Sequence, residues 1–228
     1  MSEFLDPERK KICFLDDNFF ACPQWESLIQ DVIATGKRFQ FKQGLDERIL
    51  TDKKIHSLMS WKYDGRFIFA FDDIKDRYVI EKNLKRMTIL YPEIRKKMMF
   101  YVLCGYDSSG KYGKDFWQKD IADTFERIRI LNSFGAYPYV MRFEKAYGSE
   151  WSGLYAAIAM WTNQPNIFKK FTFREFCMCK GMGDKYTKYK RDYKAYLKDG
   201  HSKGAAWRNM EQFEYAYPYI AKEYFDGI

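Results

Sequence analysis

The sequence has no long apolar run and an odd number of cysteines, and each feature excludes a class of protein. Residues 1–11 hold acids and bases where a secretory leader needs an apolar stretch, and no later run of about 18 apolar residues could span a bilayer. The five cysteines do not form the even set of a secreted disulfide framework. We therefore expect a cytoplasmic protein without a membrane segment.

The sequence also lacks the short motifs of two common enzyme classes. It contains neither the Gly-x4-Gly-Lys-Ser/Thr loop that binds nucleotide phosphates nor the Gly-x-Ser-x-Gly turn of hydrolases. His56 and His201 are the only histidines, and neither has a second His or Cys nearby at metal-ligand spacing. These absences argue against a phosphate-binding or hydrolytic enzyme and against a zinc site.

The chain does have the apolar residues of a folded protein and an excess of positive charge. Of its 228 residues, 46% are hydrophobic and 19% are aromatic, which is enough for one large core. The net charge of +8 favours anionic partners, such as nucleic acid or phosphorylated metabolites. Whole-chain charge indicates non-specific attraction only, so it predicts neither the fold nor the chemistry.

Short aromatic and branched runs alternate with helical patterns along the first two thirds of the chain. Strands are expected at residues 12–16, 39–42, 66–72, 98–105 and 137–143. Helices are expected at residues 24–36, 51–60, 76–90 and 115–135, with the acids and arginines of the last one largely on its solvent side. The alternation predicts an α/β fold of parallel strands, and it fits an open doubly wound sheet and a partial barrel equally well.

A change of pattern near residues 145–150 predicts a core over 1–148 and a helical, basic, tyrosine-rich extension over 149–228. Within the extension, tyrosines recur at helical spacing among lysines, and residues 183–199 are expected to form one amphipathic helix. The tyrosines fit two interpretations. They either pack on the core, which we favour, or stack on nucleic-acid bases.

Polar residues follow every predicted strand, where parallel strands would bring them to one mouth. They are Asp16, Asp17 and Asn18, then Gln43, Asp46 and Arg48, then Asp72, then the run Gly105-Tyr106-Asp107, and finally Arg142 and Glu144. Each acid could instead cap the helix that follows it. Taken together, the carboxylates, amides and two arginines predict a site for a zwitterionic ligand that carries hydroxyl groups.

Several segments, in this order, resemble the later strands of radical S-adenosylmethionine (SAM) proteins. They are FLDDNFF (14–20), FKQGLDERIL (41–50), FAFDDI (69–74), FYVLCGYD (100–107) and YPYVMRFE (137–144). WTNQPNIFKKFTFREF (161–176) is similar to the tail of one group in that family. The resemblance covers most of residues 12–177. It implies a partial TIM-like (β/α) barrel of radical SAM type that lacks its first βα unit and carries a C-terminal helical extension.

The resemblance also implies roles for the candidate residues, with SAM as the cofactor. Asp16, Asp17 and Asn18 take the place that binds the SAM amino group. Gln43, Asp46 and Arg48 take the place of ribose and carboxylate contacts, with Arg48 on the carboxylate. Asp72 would contact the ribose. Gly105 would lie against the adenine or, equally well, simply end its strand.

The cysteines depart from the family pattern. Family members carry Cys-x3-Cys-x2-Cys for a four-iron four-sulfur cluster, whereas eight residues lie between Cys13 and Cys22 and only Met178 separates Cys177 from Cys179. The ligands of the cluster are absent, so the isolated chain is expected to be inactive in radical chemistry. We expect a truncated or split radical SAM protein whose missing unit lies on an upstream polypeptide. The alternative is a non-catalytic module that binds SAM, a nucleotide or nucleic acid.

Overall fold

The computed structural model describes residues 6, 8–15, 18–60 and 62–228, and it divides into two compact units. The first unit takes in the described residues up to Tyr101 together with Ile130–Tyr137. The second takes in Val102–Arg129 and Pro138–Ile228. No helix within these described ranges is both long enough and apolar enough to cross a membrane.

Five strands form two parallel arrangements, and each strand overlaps a run that predicted it. They are β1 (Lys11–Phe14), β2 (Arg38–Phe41), β3 (Phe67–Ala70), β4 (Met98–Cys104) and β5 (Tyr137–Arg142). β1 and β2 pair in parallel as a two-stranded sheet. The other three form a sheet in the order β3-β4-β5, in which β3 and β4 are parallel.

α-Helices and 3-10 turns together make up about 58% of the described residues. The first four are α1 (Trp25–Ala34), α2 (Asp52–Ser60), α3 (Arg77–Leu90) and α4 (Lys114–Ser133). After β5 come α5 (Glu144–Tyr147), α6 (Ser152–Thr162), α7 (Pro165–Phe168) and α8 (Phe173–Gly181). The last four are α9 (Tyr186–Tyr189), α10 (Tyr193–Lys198), α11 (Ala205–Ala216) and α12 (Pro218–Tyr224).

The prediction of a partial TIM-like barrel of radical SAM type is wrong. The described residues form two small sheets rather than one curved sheet, and helix is the major component. β2 is joined to the segment before β3 by an isolated bridge from Phe39 to Tyr63. β2 and β3 belong to different sheets and share no ladder, so the two sheets do not join in the continuous staggered pairing that a barrel requires.

A cluster of aromatic rings in the first unit fixes the end of β2. Phe39 and Phe41 are each 1% exposed, and the ring of Phe41 lies 4.8 Å from that of Phe19. The ring of Tyr63 lies 5.7 Å from that of Phe39. Beyond Phe41 the chain leaves this apolar environment and enters a polar loop, so the strand ends where the candidate ligand residues begin.

The prediction that the charged residues of α4 largely face solvent is wrong for three of them. Asp120, Glu126 and Arg127 are 9%, 7% and 2% exposed. Arg127 donates to the Leu103 carbonyl oxygen at 2.9 Å and to Thr124 Oγ1 at 3.0 Å. α4 is therefore buried on more than its apolar side. The hydrogen bonds of Arg127 compensate for the cost of burying its charge.

The prediction of one helix over 183–199 is also wrong. α9 and α10 are separated by Lys190, whose φ is +52°, and by Asp192, whose side chain accepts the N–H of Ala195 at 2.9 Å and caps α10. Tyr189 and Tyr196 are 7% and 4% exposed, so they pack inside the second unit. The packing interpretation therefore describes these two tyrosines better than base stacking.

Candidate functional site

A cavity of about 580 Å³ lies in the first unit at the carboxyl ends of β2 and β3. Its lining is Asn18, Gln43, Gly44, Leu45, Asp46, Glu47, Arg48, Ala70, Asp72, Asp73 and Asp76. The N–H of Leu45 donates to the carbonyl oxygen of Ile68 at 2.6 Å and holds the loop after β2 beside β3. Carboxyl ends of neighbouring parallel strands are the usual place for ligand clefts in α/β proteins.

Asp46 and Arg48 form a bidentate ion pair at this cavity. Arg48 donates from Nε to Asp46 Oδ1 at 2.9 Å and from Nη2 to Oδ2 at 3.1 Å. Asp46 Oδ1 also accepts the backbone N–H of Arg48 at 3.0 Å, which starts the short 3-10 turn Glu47–Ile49. These bonds lower the pKa of Asp46 and raise that of Arg48, so both side chains are charged at neutral pH.

Glu47 lies between these two residues in sequence but in a different environment. It is 3% exposed, and burial raises the pKa of its carboxyl group to about 7. Its backbone carbonyl oxygen accepts Asn83 Nδ2 at 3.0 Å, which ties the turn to α3. Glu47 is therefore the lining residue whose charge changes near neutral pH.

The side of the cavity that is formed by the segment after β3 is acidic. Asp73 Oδ1 accepts the N–H of Lys75 at 2.9 Å and begins the turn Ile74–Asp76 after β3. Asp72 and Asp76 complete this side. In all, five carboxyl groups and one guanidinium line the cavity, so it is strongly negative even when Glu47 is protonated.

The structure brings together five of the ten candidate residues. Asn18, Gln43, Asp46, Arg48 and Asp72 line the cavity. Asp16 and Asp17 lie outside the described residues. Gly105, Arg142 and Glu144 belong to the second unit.

In the second unit, Gly105 ends β4 in a left-handed conformation with φ of +74°. Its N–H donates to the buried Asp120 Oδ2 at 2.8 Å, and the Tyr155 hydroxyl donates to the same oxygen at 2.6 Å. Burial raises the pKa of Asp120 and opposes the lowering effect of these two hydrogen bonds. Gly105 thus has a structural reason for being glycine, independent of any adenine contact.

Arg142 and Glu144 lie near a second cavity, of about 930 Å³, in this unit. The guanidinium of Arg142 lies 4.3 Å from the centroid of the Tyr147 ring, in a cation–π contact. Glu144 lines the cavity together with Tyr106, Trp117 and Phe143. Its carboxylate lies 3.6 Å from Lys145 Nζ, an exposed pair of little energetic weight.

Three acidic lining residues of the first cavity, Glu47, Asp73 and Asp76, were not among the candidates. Glu47 and Asp73 stand directly beside candidates in sequence, which is a usable signal, but neither spacing nor residue type shows that Glu47 is buried. Asp76 lies in the turn that precedes α3. Its approach to the cavity depends on the direction of that turn, which has no sequence signal that we can identify.

Within the residues that the structure describes, no group of three or more His, Cys, Asp or Glu side chains could hold a metal ion. All five cysteines are free thiols, and burial raises the pKa of Cys104 to about 12.

Comparison with protein-family models, curated proteins and solved structures gives no match. The resemblance to radical SAM proteins stays a hypothesis from sequence.

Proposed function

We propose that the cavity of the first unit binds S-adenosylmethionine. The observation that supports this proposal is the charge of the lining, which has five carboxyl groups and one arginine already paired with Asp46. SAM carries a sulfonium, an ammonium and a carboxylate, so its net charge is positive. Nucleotide phosphates would instead be repelled, and this favours SAM over the nucleotide alternative.

The chain's own residues offer a partner for each polar part of this ligand. Arg48 uses two of its five N–H donors on Asp46, and the remaining donors suit the ligand carboxylate. Carboxylates such as Asp72 suit the ammonium and the ribose hydroxyls. Gln43, which is exposed at the cavity, adds an amide that both donates and accepts.

The proposed function is ligand binding rather than radical chemistry by this chain alone. Within the described residues, no donor set fits the four-iron cluster that the family uses, so we derive no step through one. The partner that we propose is a separate polypeptide that carries the cluster motif. The cytoplasm is the proposed location, and the five free thiols suit its reducing conditions.

Titration calorimetry with SAM tests the proposal, using Asp72→Asn as the cavity variant. Loss of one charge-assisted hydrogen bond should weaken binding about tenfold or more. Asp31→Asn, at an exposed position in α1, removes the same charge away from the cavity and should bind like the parent protein. Equal effects of the two substitutions would contradict the assignment of the site.

Ligand analogues give a second test at the same site. S-adenosylhomocysteine lacks the sulfonium charge and should bind more weakly than SAM, and ATP should not compete with SAM. Competition by ATP at similar concentrations would show that the negative lining does not select for a positive ligand, and the proposal would fail.

A further inference from the structure

Almost all of the net charge of the chain lies in one segment of the second unit. Residues 169–203 contain eleven Lys and Arg against four Asp and Glu, a net charge of +7 out of +8 for the whole chain. The other residues are nearly neutral in sum. This segment, which we call the basic segment, contributes no residue to the lining of the acidic cavity, which comes wholly from the first unit.

Most acids of the basic segment are engaged in its own structure. Glu175 forms the capping box of α8 with Thr172 and lies 3.1 Å from Arg191. Asp192 caps α10. Asp199 accepts the Tyr189 hydroxyl at 2.6 Å and lies 3.3 Å from Lys188 Nζ.

Seven lysines of the basic segment, in contrast, are exposed and form no ion pair with any described residue. They are Lys169, Lys170, Lys180, Lys185, Lys190, Lys194 and Lys198. Within α10, Lys194 and Lys198 are four residues apart and share one face. Like charges at this spacing repel each other, and an anionic partner would relieve the repulsion.

The basic segment rests on an ordered aromatic core. The rings of Tyr189 and Tyr196 lie 5.5 Å apart, and the ring of Tyr196 lies 5.0 Å from that of His201. The hydroxyl of Tyr196 donates to the carbonyl oxygen of Ser202 at 2.8 Å. The lysines therefore project from a packed surface rather than from an extended tail.

A mainly apolar groove of about 410 Å³ is lined by residues of the same segment, Asp184 among them, together with Ile167. Phe171 and Tyr186, both half-buried, contribute aromatic faces, and Lys180 stands at its edge. The guanidinium of Arg191 lies 4.8 Å from the centroid of the Phe171 ring. Cationic side chains beside aromatic faces are the combination that holds the phosphates and bases of a single strand.

The short elements of the basic segment favour a single strand over two other anionic partners. α9 and α10 have four and six residues, too few to lie along the major groove of a duplex or to bury an apolar helical face in a bilayer. We propose that residues 169–203 bind single-stranded nucleic acid, with the exposed lysines on the phosphates and a base in the groove lined by Phe171 and Tyr186.

Fluorescence anisotropy with labelled oligo-dT and oligo-U of about 20 nucleotides tests the proposal. The charge variant combines Lys180→Gln, Lys185→Gln, Lys194→Gln and Lys198→Gln. Its matched control combines Lys82→Gln, Lys85→Gln, Lys96→Gln and Lys97→Gln, four exposed lysines of the first unit. The charge variant should flatten the slope of log affinity against log salt by about 3, whereas the control should leave the slope unchanged.

A pair of substitutions at Tyr186 tests the role of the groove. Tyr186→Ala should weaken oligonucleotide binding about fivefold or more, whereas Tyr186→Phe, which keeps the ring, should bind like the parent. Circular dichroism identifies variants that have not folded, and Phe171→Ala replaces Tyr186→Ala if that variant does not fold. Equal losses for Tyr186→Ala and Tyr186→Phe would overturn the role of the groove.

Two other results would overturn the proposal as a whole. One is an equal loss of affinity in the charge variant and its control, since binding would then follow total charge rather than this surface. The other is binding to vesicles that contain phosphatidylserine without binding to either oligonucleotide, which would identify an anionic membrane as the partner.

Discussion

At the scale of single residues, environment decides chemistry more than residue type does. Asp46 and Glu47 are adjacent carboxylic acids, yet the pKa of Asp46 is lowered by its bonds to Arg48, while burial raises that of Glu47 to about 7. The sequence shows only that two acids stand beside an arginine. It does not show which acid forms an ion pair with the arginine and which acid is buried.

Glu47 should make the stability of the protein depend on pH. Below about pH 4.5 the carboxyl is protonated in both the folded and the unfolded state. Between pH 4.5 and 7 the unfolded state loses the proton while the folded state keeps it, so the free energy of unfolding should fall as pH rises, by about 3 kcal/mol in all. Urea denaturation across this window measures the effect.

The variant Glu47→Gln serves as the control for that titration, because glutamine has no carboxyl to ionise. The part of the pH dependence between 4.5 and 7 that comes from Glu47 should be absent in it. If the parent and Glu47→Gln differ by the same free energy at every pH in this window, the raised pKa is not present in the folded protein.

At the scale of elements, the prediction succeeded where local pattern and local chemistry agree. The five apolar runs form strands because β-branched and aromatic residues suit half-buried extended backbone, and α1 to α4 follow the predicted helical spacing. The helix over 183–199 failed because a capping aspartate at 192 and the left-handed Lys190 interrupt a pattern that is otherwise helical. Cap chemistry outweighed periodicity at that point.

The end of β4 depends on Gly105, and substitution should show how strongly. An alanine at this position would be strained at a φ of +74°, and its Cβ would lie 2.6 Å from Ala146 Cβ. Gly105→Ala should therefore lower the free energy of unfolding by about 2–4 kcal/mol. Gly110 has a similar φ of +68° with nothing within 4 Å, so Gly110→Ala should cost only about 1 kcal/mol. Equal losses in chemical denaturation would mean that the close approach to Ala146 is not restrictive.

At the scale of the whole molecule, acidic and basic side chains are concentrated at different places along the chain. The first unit carries a cavity with five carboxyl groups, and the second carries the segment with most of the net positive charge. The whole-chain value of +8 therefore does not describe the cavity. A ligand and a macromolecular partner of opposite charge can be proposed for one chain without contradiction.

The whole chain should not retain a four-iron cluster on its own. After anaerobic reconstitution with iron and sulfide and removal of excess reagent, we expect no visible cluster absorbance, because no described group of three or more ligands could hold a metal. The variant Cys13→Ser with Cys22→Ser should give the same baseline. Retention of four irons per chain, lost in that variant, would contradict the expectation.

The sequence by itself determined the approximate positions of the strands, their parallel direction, and half of the candidate site, because these follow from residue spacing and from the geometry of parallel strands. Only the tertiary structure decided that the strands form two small sheets instead of a barrel, that Asp120, Glu126 and Arg127 are buried, and that Glu47 joins the cavity. The physical reason is that sheet closure and burial depend on contacts between residues far apart in the chain, which local pattern does not encode.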